Sequence, residues 1–322
     1  MSSTSPMPCD SRETPSNATW FTVTECILAI IGIVGNLLVI HIYKNKNMNK
    51  SSTSFFIVSL AFADLISSAN MLPLHMLYND VNNIYFCRFV SSGYLLWTSI
   101  CASSLLLMIL TLDRYSAVLH PAKHKQTFSR SRCWILVIIV WFSAAIFNTF
   151  NIWINVLDNC TCTVRWPGKY WRTFIGIFNF LTKYTIPVVV MISANYTIIR
   201  SLKRQVNIFR RKTSSINSPA ITLHQAKRDI MKTVFVVTVT FIMCWSTEQM
   251  CFFIHAIGLF ERYAKSNLEN VLVLLGFVNS CANPFIYITT NKQFNKHFRK
   301  LLLKFQVCNP VSTVDLDRDI VK

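Results

Sequence analysis

Seven apolar stretches, at residues 23–43, 55–78, 89–112, 133–157, 174–199, 233–259 and 268–290, alternate with polar or basic connections along the chain. A helix rises about 1.5 Å per residue, so roughly 20 apolar residues cross the hydrocarbon of a bilayer; each stretch reaches that length with room to tilt. The pattern predicts an all-α membrane protein, a seven-transmembrane helix bundle over residues 23–290 behind a polar segment at 1–22. Polar residues inside the stretches mark faces turned to other protein. Ser103 and Ser104 are such a pair, lying about three turns before the charged triplet Asp113-Arg114-Tyr115 that ends the third stretch.

An eighth element comes after the bundle. Phe294, Phe298, Leu301, Leu302 and Phe305 recur at helical spacing among Lys292, Lys296, His297, Arg299, Lys300 and Lys304. This predicts an amphipathic helix over 291–307 lying on anionic lipid, with a short tail at 308–322. Cys308, at its end, is a candidate palmitoylation site.

Composition supports the membrane reading: 52% of residues are hydrophobic and 14% charged, too apolar for an ordinary soluble domain. A net charge of +18 would suit a nucleic-acid partner, but the basic residues lie between apolar stretches and build no continuous basic face. The charge reports topology instead. Of 32 Lys and Arg, 24 fall in the connections at 44–52, 114–132 and 200–232 and after Thr290. The positive-inside rule makes that side cytoplasmic and the N-terminus extracellular. Residues 1–20 carry neither a basic n-region nor an apolar h-region, so the first span is expected to direct insertion. Sequons at Asn17 and Asn159 fall on the outer side and are the expected glycosylation sites. Cys9, Cys87, Cys160 and Cys162 also lie in outer segments, where disulfides persist.

Three ionisable residues interrupt the spans in a way that topology does not explain. Asp64 sits deep in the second and needs a proton, a cation or hydrogen-bond donors. Lys183 in the fifth lies four residues outward of Pro187, and Glu248 in the sixth lies three outward of Trp245, so their depths match and the two are expected to reach one another.

Asp113-Arg114-Tyr115, continuing as Ser116-Ala117-Val118-Leu119-His120-Pro121, resembles the inner end of the third helix of a rhodopsin-like (class A) G-protein-coupled receptor. Asn283-Pro284-Phe285-Ile286-Tyr287 in the seventh span, Leu60-Ala61-Phe62-Ala63-Asp64 in the second and Phe241-Ile242-Met243-Cys244-Trp245 in the sixth match the same family. The resemblance implies that Asp113, Arg114, Tyr115, Trp245, Asn283, Pro284 and Tyr287 serve activation and G-protein coupling. It also implies a sodium ion, as allosteric modulator, among Asp64, Ser103, Asn279, Ser280 and Asn283; a protonated Asp64 held by amides is the alternative. No other cofactor is implied. A disulfide is expected between Cys87 and either Cys160 or Cys162. Cys87 precedes Arg114 by 27 residues where the family has 25, which sets the anchor about 3 Å further out on an unbroken helix.

The chain departs from the family at several points. Thr247 stands where a proline kinks the sixth helix, Asn195 where the fifth carries a tyrosine, and Lys227 where many relatives place an acid, so no ionic latch to Arg114 is expected there. Leu96 replaces the aspartate of amine receptors and Phe277 the lysine of light sensors. The outer pocket is expected to be lined by Asn70, His75, Trp97, Ile100, Asn179, Lys183, Glu248, Gln249 and His255, a wide polar lining most similar to the peptide-receptor branch. The expected protein is a plasma-membrane receptor for an extracellular peptide, in particular a neuropeptide, that activates a heterotrimeric G protein. Arrestin and kinases are expected as further partners, the latter acting at Thr213-Ser214-Ser215. A small non-peptide ligand is the alternative within the family. A channel or transporter is the alternative outside it, but internal repeats and rings of charge are not found. No nucleotide-binding or metal-ligand motif argues for an enzyme.

Overall fold

The computed structural model describes residues 19–44, 51–72, 83–158, 161–212, 219–263 and 266–308. Seven helical segments are long and apolar enough to cross a membrane: Trp20–Tyr43, Ser52–Met71, Phe86–Leu119, Arg130–Ile154, Lys169–Gln205, Met231–Ala256 and Asn267–Thr290. The third span is the centre of the bundle, packed against the second, fourth, fifth and sixth; the first packs on the second and seventh, and the sixth on the seventh. Lipid-facing positions of the outer spans carry exposed Ile, Val, Phe and Trp, whereas small and polar residues turn inward.

Helix ends obey local chemistry. Ser51 caps the second span by accepting from the Ser54 amide, and Ser266 caps the seventh by accepting from Glu269, a Ser-x-x-Glu start. The sixth helix, Pro219–Ala256, stops short of the apolar limit at 259 because Gly258 turns left-handed (φ 88°). Its amide then bonds the His255 carbonyl while the Leu259 amide bonds that of Ile254, closing the helix in a Schellman arrangement. The first helix starts at Thr19, so the expected boundary after residue 22 falls inside it. The fourth span gives way to strand β1 (Asn155–Asp158), which pairs antiparallel with β2 (Thr161–Val164) in a hairpin over the outer face.

Two π-helical turns adjust register where the expected helices were regular. Phe86–Ser91 opens the third span, the Ser92 amide bonds the Cys87 carbonyl five residues back, and Gly93 (φ 63°) then breaks the helix. A π turn accommodates one residue more than an α turn, so this break absorbs the extra spacing between Cys87 and Arg114. Cys87 accordingly reaches the hairpin, and its disulfide is with Cys162 at a Cα separation of 5.6 Å. The second π turn, Phe180–Thr185, lies in the fifth span just before Pro187. Proline has no amide to offer the carbonyl four residues back, that of Lys183, and Ser104 of the third span donates its hydroxyl there instead, at 2.9 Å.

The surface helix runs Lys292–Cys308, against an expected 291–307. It is anchored by Phe294, fully buried against the rings of Tyr43 and Tyr287 at 5.8 and 6.0 Å between centroids. The side chain of Cys308 lies outside the described residues, as do those of Asn17, Asn159, Cys9, Cys160, Lys227 and Thr213-Ser214-Ser215.

Candidate functional site: the outer cavity and the buried polar core

A cavity of about 520 Å³ opens between the outer halves of the third, fifth, sixth and seventh spans, under the β1–β2 hairpin. Trp97, Ile100, Asn179, Lys183, Glu248, Gln249 and His255 line it, with Trp245 at its inner end. Asn70 does not: it is exposed and donates to the Ile66 carbonyl of its own helix at 2.8 Å. His75 lies outside the described residues. The cavity also takes in residues that sequence reasoning did not select, among them Arg172, Tyr184, Phe252, Tyr263 and Glu269. Glu269 could have been found, as an acid in the first outer turn of the seventh span beside its Ser266 cap; Tyr263 lies in a connection whose path the sequence does not reveal.

Lys183 and Glu248 both line the cavity, but the structure gives each a different partner, which corrects the expected direct contact. The Lys183 ammonium donates to Asn148 Oδ1 at 2.6 Å and lies 5.5 Å over the ring of Phe150, both from the fourth-span side. The Glu248 carboxylate accepts from Gln249 at 2.7 Å. Depth alone matched the two residues. The π turn rotates Lys183 toward the fourth span, and rotation is what a count of residues cannot supply.

Further in, Asp64 is fully buried and gathers three donors: Ser103 and Ser280 to Oδ1 at 2.8 and 3.0 Å, and Asn283 to Oδ2 at 2.7 Å. The third and seventh spans thus converge on a carboxylate of the second. Asn279 is buried nearby in the seventh span without a bond to Asp64. Asn36 of the first span donates to the Gly32 and Ser280 carbonyls. The side-chain carbonyl oxygens of Asn36, Asn279 and Asn283 are all buried without a donor.

At the inner end, Asp113 is buried under a cluster of donors from three segments. Ser52 and Thr53 donate at 2.6 and 2.7 Å, Arg114 at 2.6 and 3.0 Å, and His124 Nε2 lies 2.9 Å from Oδ1. Arg114 is thus held by its own neighbour, with 13% of its side chain exposed. Tyr287 is buried in the seventh span one turn past Pro284.

Residues 35–287 match the family model described as 7 transmembrane receptor (rhodopsin family). The chain belongs to this family. Its relatives include galanin receptor 2a of Danio rerio, 26% identical over 89% of this chain and 80% of that protein. Somatostatin receptor type 2 of Sus scrofa is 27% identical over 91% and 79%. Lysophosphatidic acid receptor 4 of Mus musculus is 25% identical over 84% and 74%.

Where this receptor departs from the family motifs, other groups take up the structural role. Thr247 keeps the amide that a proline would lack. One residue before it, Ser246 donates to the Ile242 carbonyl at 2.5 Å, a back-bond of the kind that bends helices. Because that hydroxyl's proton is committed, Tyr184 of the fifth span donates to Ser246 Oγ, also at 2.5 Å. Nearer the cytoplasm Asn195 donates to the Thr238 hydroxyl at 3.1 Å, and the Thr233 and Thr290 hydroxyls meet at 2.7 Å. With Thr173, which donates to the Ala256 carbonyl at 3.2 Å at the outer end, side chains of the fifth span thus bond the sixth at three depths, and the Thr233–Thr290 contact joins the sixth to the seventh.

Proposed function

We propose that this receptor sits in the plasma membrane with its N-terminus outside, takes an extracellular peptide into the outer cavity, and passes the resulting change to a heterotrimeric G protein at its inner face. The observation that carries the reading is the cavity itself. It is wide, sets charged and amide side chains among apolar walls, is floored by Trp245, and lies under a hairpin tethered by Cys87–Cys162. Two of the three relatives above are named for peptides, galanin and somatostatin.

In this reading the bundle has two arrangements, and an agonist that binds one more tightly shifts the population toward it. Arg114, Tyr287 and the basic third inner loop meet the G protein in the arrangement with the inner cleft open. Coupling is reciprocal, so G protein raises agonist affinity. The test is nucleotide exchange on purified G proteins in membranes containing the receptor, while a neuropeptide library is screened. Exchange stimulated by a peptide is expected; an ionic current without G protein and no exchange with any G protein would overturn the proposal.

Asp64, Ser103, Asn279, Ser280 and Asn283 suit a sodium ion. The donor set is all oxygen, one of its members is a full negative charge, and the orphaned amide oxygens of Asn279 and Asn283 lack partners that a hard cation or its water would provide. Among the described residues no group of three His, Cys, Asp or Glu could hold a transition metal. Bound sodium would neutralise Asp64 and tie the second, third and seventh spans together. Purified receptor should therefore melt at a higher temperature in sodium chloride than in an equal concentration of N-methylglucamine chloride, by on the order of 2 °C. Asp64→Asn should erase the difference; an unchanged difference would remove Asp64 from that role.

A further inference from the structure

We propose that the ligand presents a primary carboxamide, from an amidated carboxyl terminus or an Asn or Gln side chain, to the wall where the fifth and sixth spans meet, and that Asn179 and Gln249 receive it. The inference rests on the reading of this cavity as the agonist site and adds the chemical class of one group that enters it. Asn179 is 2% exposed and lines the cavity with both its amide nitrogen and its amide oxygen unpartnered. A buried amide that makes none of its bonds destabilises the fold, which calls for a role outside the fold. Gln249 lines the same cavity and gives its nitrogen to the Glu248 carboxylate at 2.7 Å. An ionised carboxylate only accepts, so that orientation is forced, and Gln249 Oε1 is left buried and unpartnered. The seam between the two spans places these amides on one wall. From the outside inward, Gly176 packs on Ala256, the Phe180 and Phe253 rings stack at 4.7 Å between centroids, and Tyr184 bonds Ser246. Asn179 immediately precedes Phe180 and Gln249 lies about one turn inward of Phe253, so the two flank a single aromatic contact.

The charged groups of the lining are occupied elsewhere. Arg172 and Lys183 stand against Glu248 and Glu269, so these four side chains cancel in formal charge. Lys183 gives its ammonium to Asn148, Glu248 accepts from Gln249, and Glu269 is engaged in an interaction of its own. Arg172 lies seven residues outward of Asn179, its guanidinium against Gly258. What the Asn179 wall lacks is a neutral group that both donates and accepts. A primary carboxamide pairs with Asn179 in a closed ring of two hydrogen bonds, its oxygen accepting from Nδ2 while one N–H goes to Oδ1, and its second N–H remains for Gln249 Oε1. An ester or an ionised carboxylate brings acceptors alone and leaves both buried oxygens unserved. A trans backbone amide holds its N–H and C=O on opposite sides and cannot close the ring. A group that displaces water from these atoms must restore both kinds of bond.

The experiment uses detergent-purified full-length receptor and three probes that differ in one group: N-acetyl-phenylalanine amide, its methyl ester and the free carboxylate. All three keep the benzyl group for the apolar lining of Trp97, Ile100 and Phe252. Raised through the millimolar range, the amide should lift the Tm by on the order of 2 °C, and neither the ester nor the carboxylate should match it. Asn179→Leu, close in volume but without hydrogen-bonding groups, should weaken the apparent affinity of the amide about tenfold; Asn179→Ser, too short to close the ring, carries the test if the leucine variant does not fold. Gln249→Met should weaken it about threefold. No shift with the amide, an equal shift with the ester, a larger shift with the carboxylate, or an amide affinity unchanged by the Asn179 variants would overturn the proposal. Peptide-stimulated nucleotide exchange on a G protein, measured with the same receptor in membranes, keeps this outcome apart from the receptor reading. Exchange without a preference for the amide probe defeats the carboxamide assignment alone, and an amide preference that Asn179→Leu abolishes, with no exchange, defeats the coupling alone.

Discussion

Gly276→Ala should lower the melting temperature of the purified receptor by about 4 °C, the effect of roughly 2 kcal/mol of overpacking in a chain of this size. A β-carbon at Gly276 would sit 2.9, 2.9 and 3.0 Å from three ring carbons of Trp245 (Cη2, Cζ3 and Cε3). Those carbons belong to a rigid indole that is 4% exposed, so the ring has to move as a body, against a packed third span on one side and Phe241 below. The missing side chain at Gly276 is therefore what lets the sixth and seventh spans close at the floor of the cavity. The check is a double-mutant cycle. Trp245→Leu should cost stability alone yet absorb most of the penalty of Gly276→Ala when the two are combined. Additive losses would show that the clash is relieved elsewhere.

Two glycines of the first span act in the same way. A β-carbon at Gly35 would lie 2.8 Å from Cγ of Pro284, and one at Gly32 would run into the Ser68 hydroxyl. These small residues allow the first helix to approach the seventh and the second closely, where dispersion and polar contacts replace the hydrophobic effect that is absent in lipid.

Much of this architecture is legible in the residues because lipid imposes a simple rule: backbone groups must bond within the segment, so length and apolarity define a span. The convergence of Ser103, Ser280 and Asn283 on Asp64 was legible for a related reason, since polar groups at that depth have only each other. Rotation, by contrast, leaves no trace in the residues. Each π turn, at Phe86–Ser91 and Phe180–Thr185, adds one residue without any compositional mark, and each re-aims the side chains around it. The first brings Cys87 to Cys162; the second gives the Lys183 ammonium to Asn148, while Glu248 takes its bond from Gln249. Gly93 and Gly258 end helices inside apolar runs that read as continuous. Asn70 looked inward from its depth but bonds its own backbone at an exposed position. Glu269 lines the cavity, yet in the residues alone an acid in a first turn is already accounted for by the helix dipole.

Tyr184→Phe should raise basal nucleotide exchange on the G protein about fivefold without loss of surface expression. The phenol donates to Ser246 on the sixth span, one residue from Trp245, and phenylalanine keeps every ring contact while removing that bond alone. A net hydrogen bond contributes about 1 kcal/mol, which is the population shift that a fivefold change requires if the bond exists in one arrangement and not in the other. It is sensitive to arrangement because Ser246 has a single proton, already given to the Ile242 carbonyl, and can accept from Tyr184 only while the sixth span presents that oxygen to the fifth. The family's proline would leave a carbonyl free at this height and let the helix flex; here Thr247 keeps the backbone bonded, and the flexible element becomes a side-chain bond between helices. Ser246→Ala should raise basal exchange comparably, and the double variant should add little to either single one. Asn195→Ala, which removes the separate bond to Thr238 nearer the cytoplasm, should add to Tyr184→Phe, since the two lie more than two turns apart along the fifth helix. Unchanged basal exchange in Tyr184→Phe, in a receptor still able to couple, would show that the bond persists in both arrangements and that other contacts, the Asn195–Thr238 and Thr233–Thr290 bonds among them, hold the inward position of the sixth span.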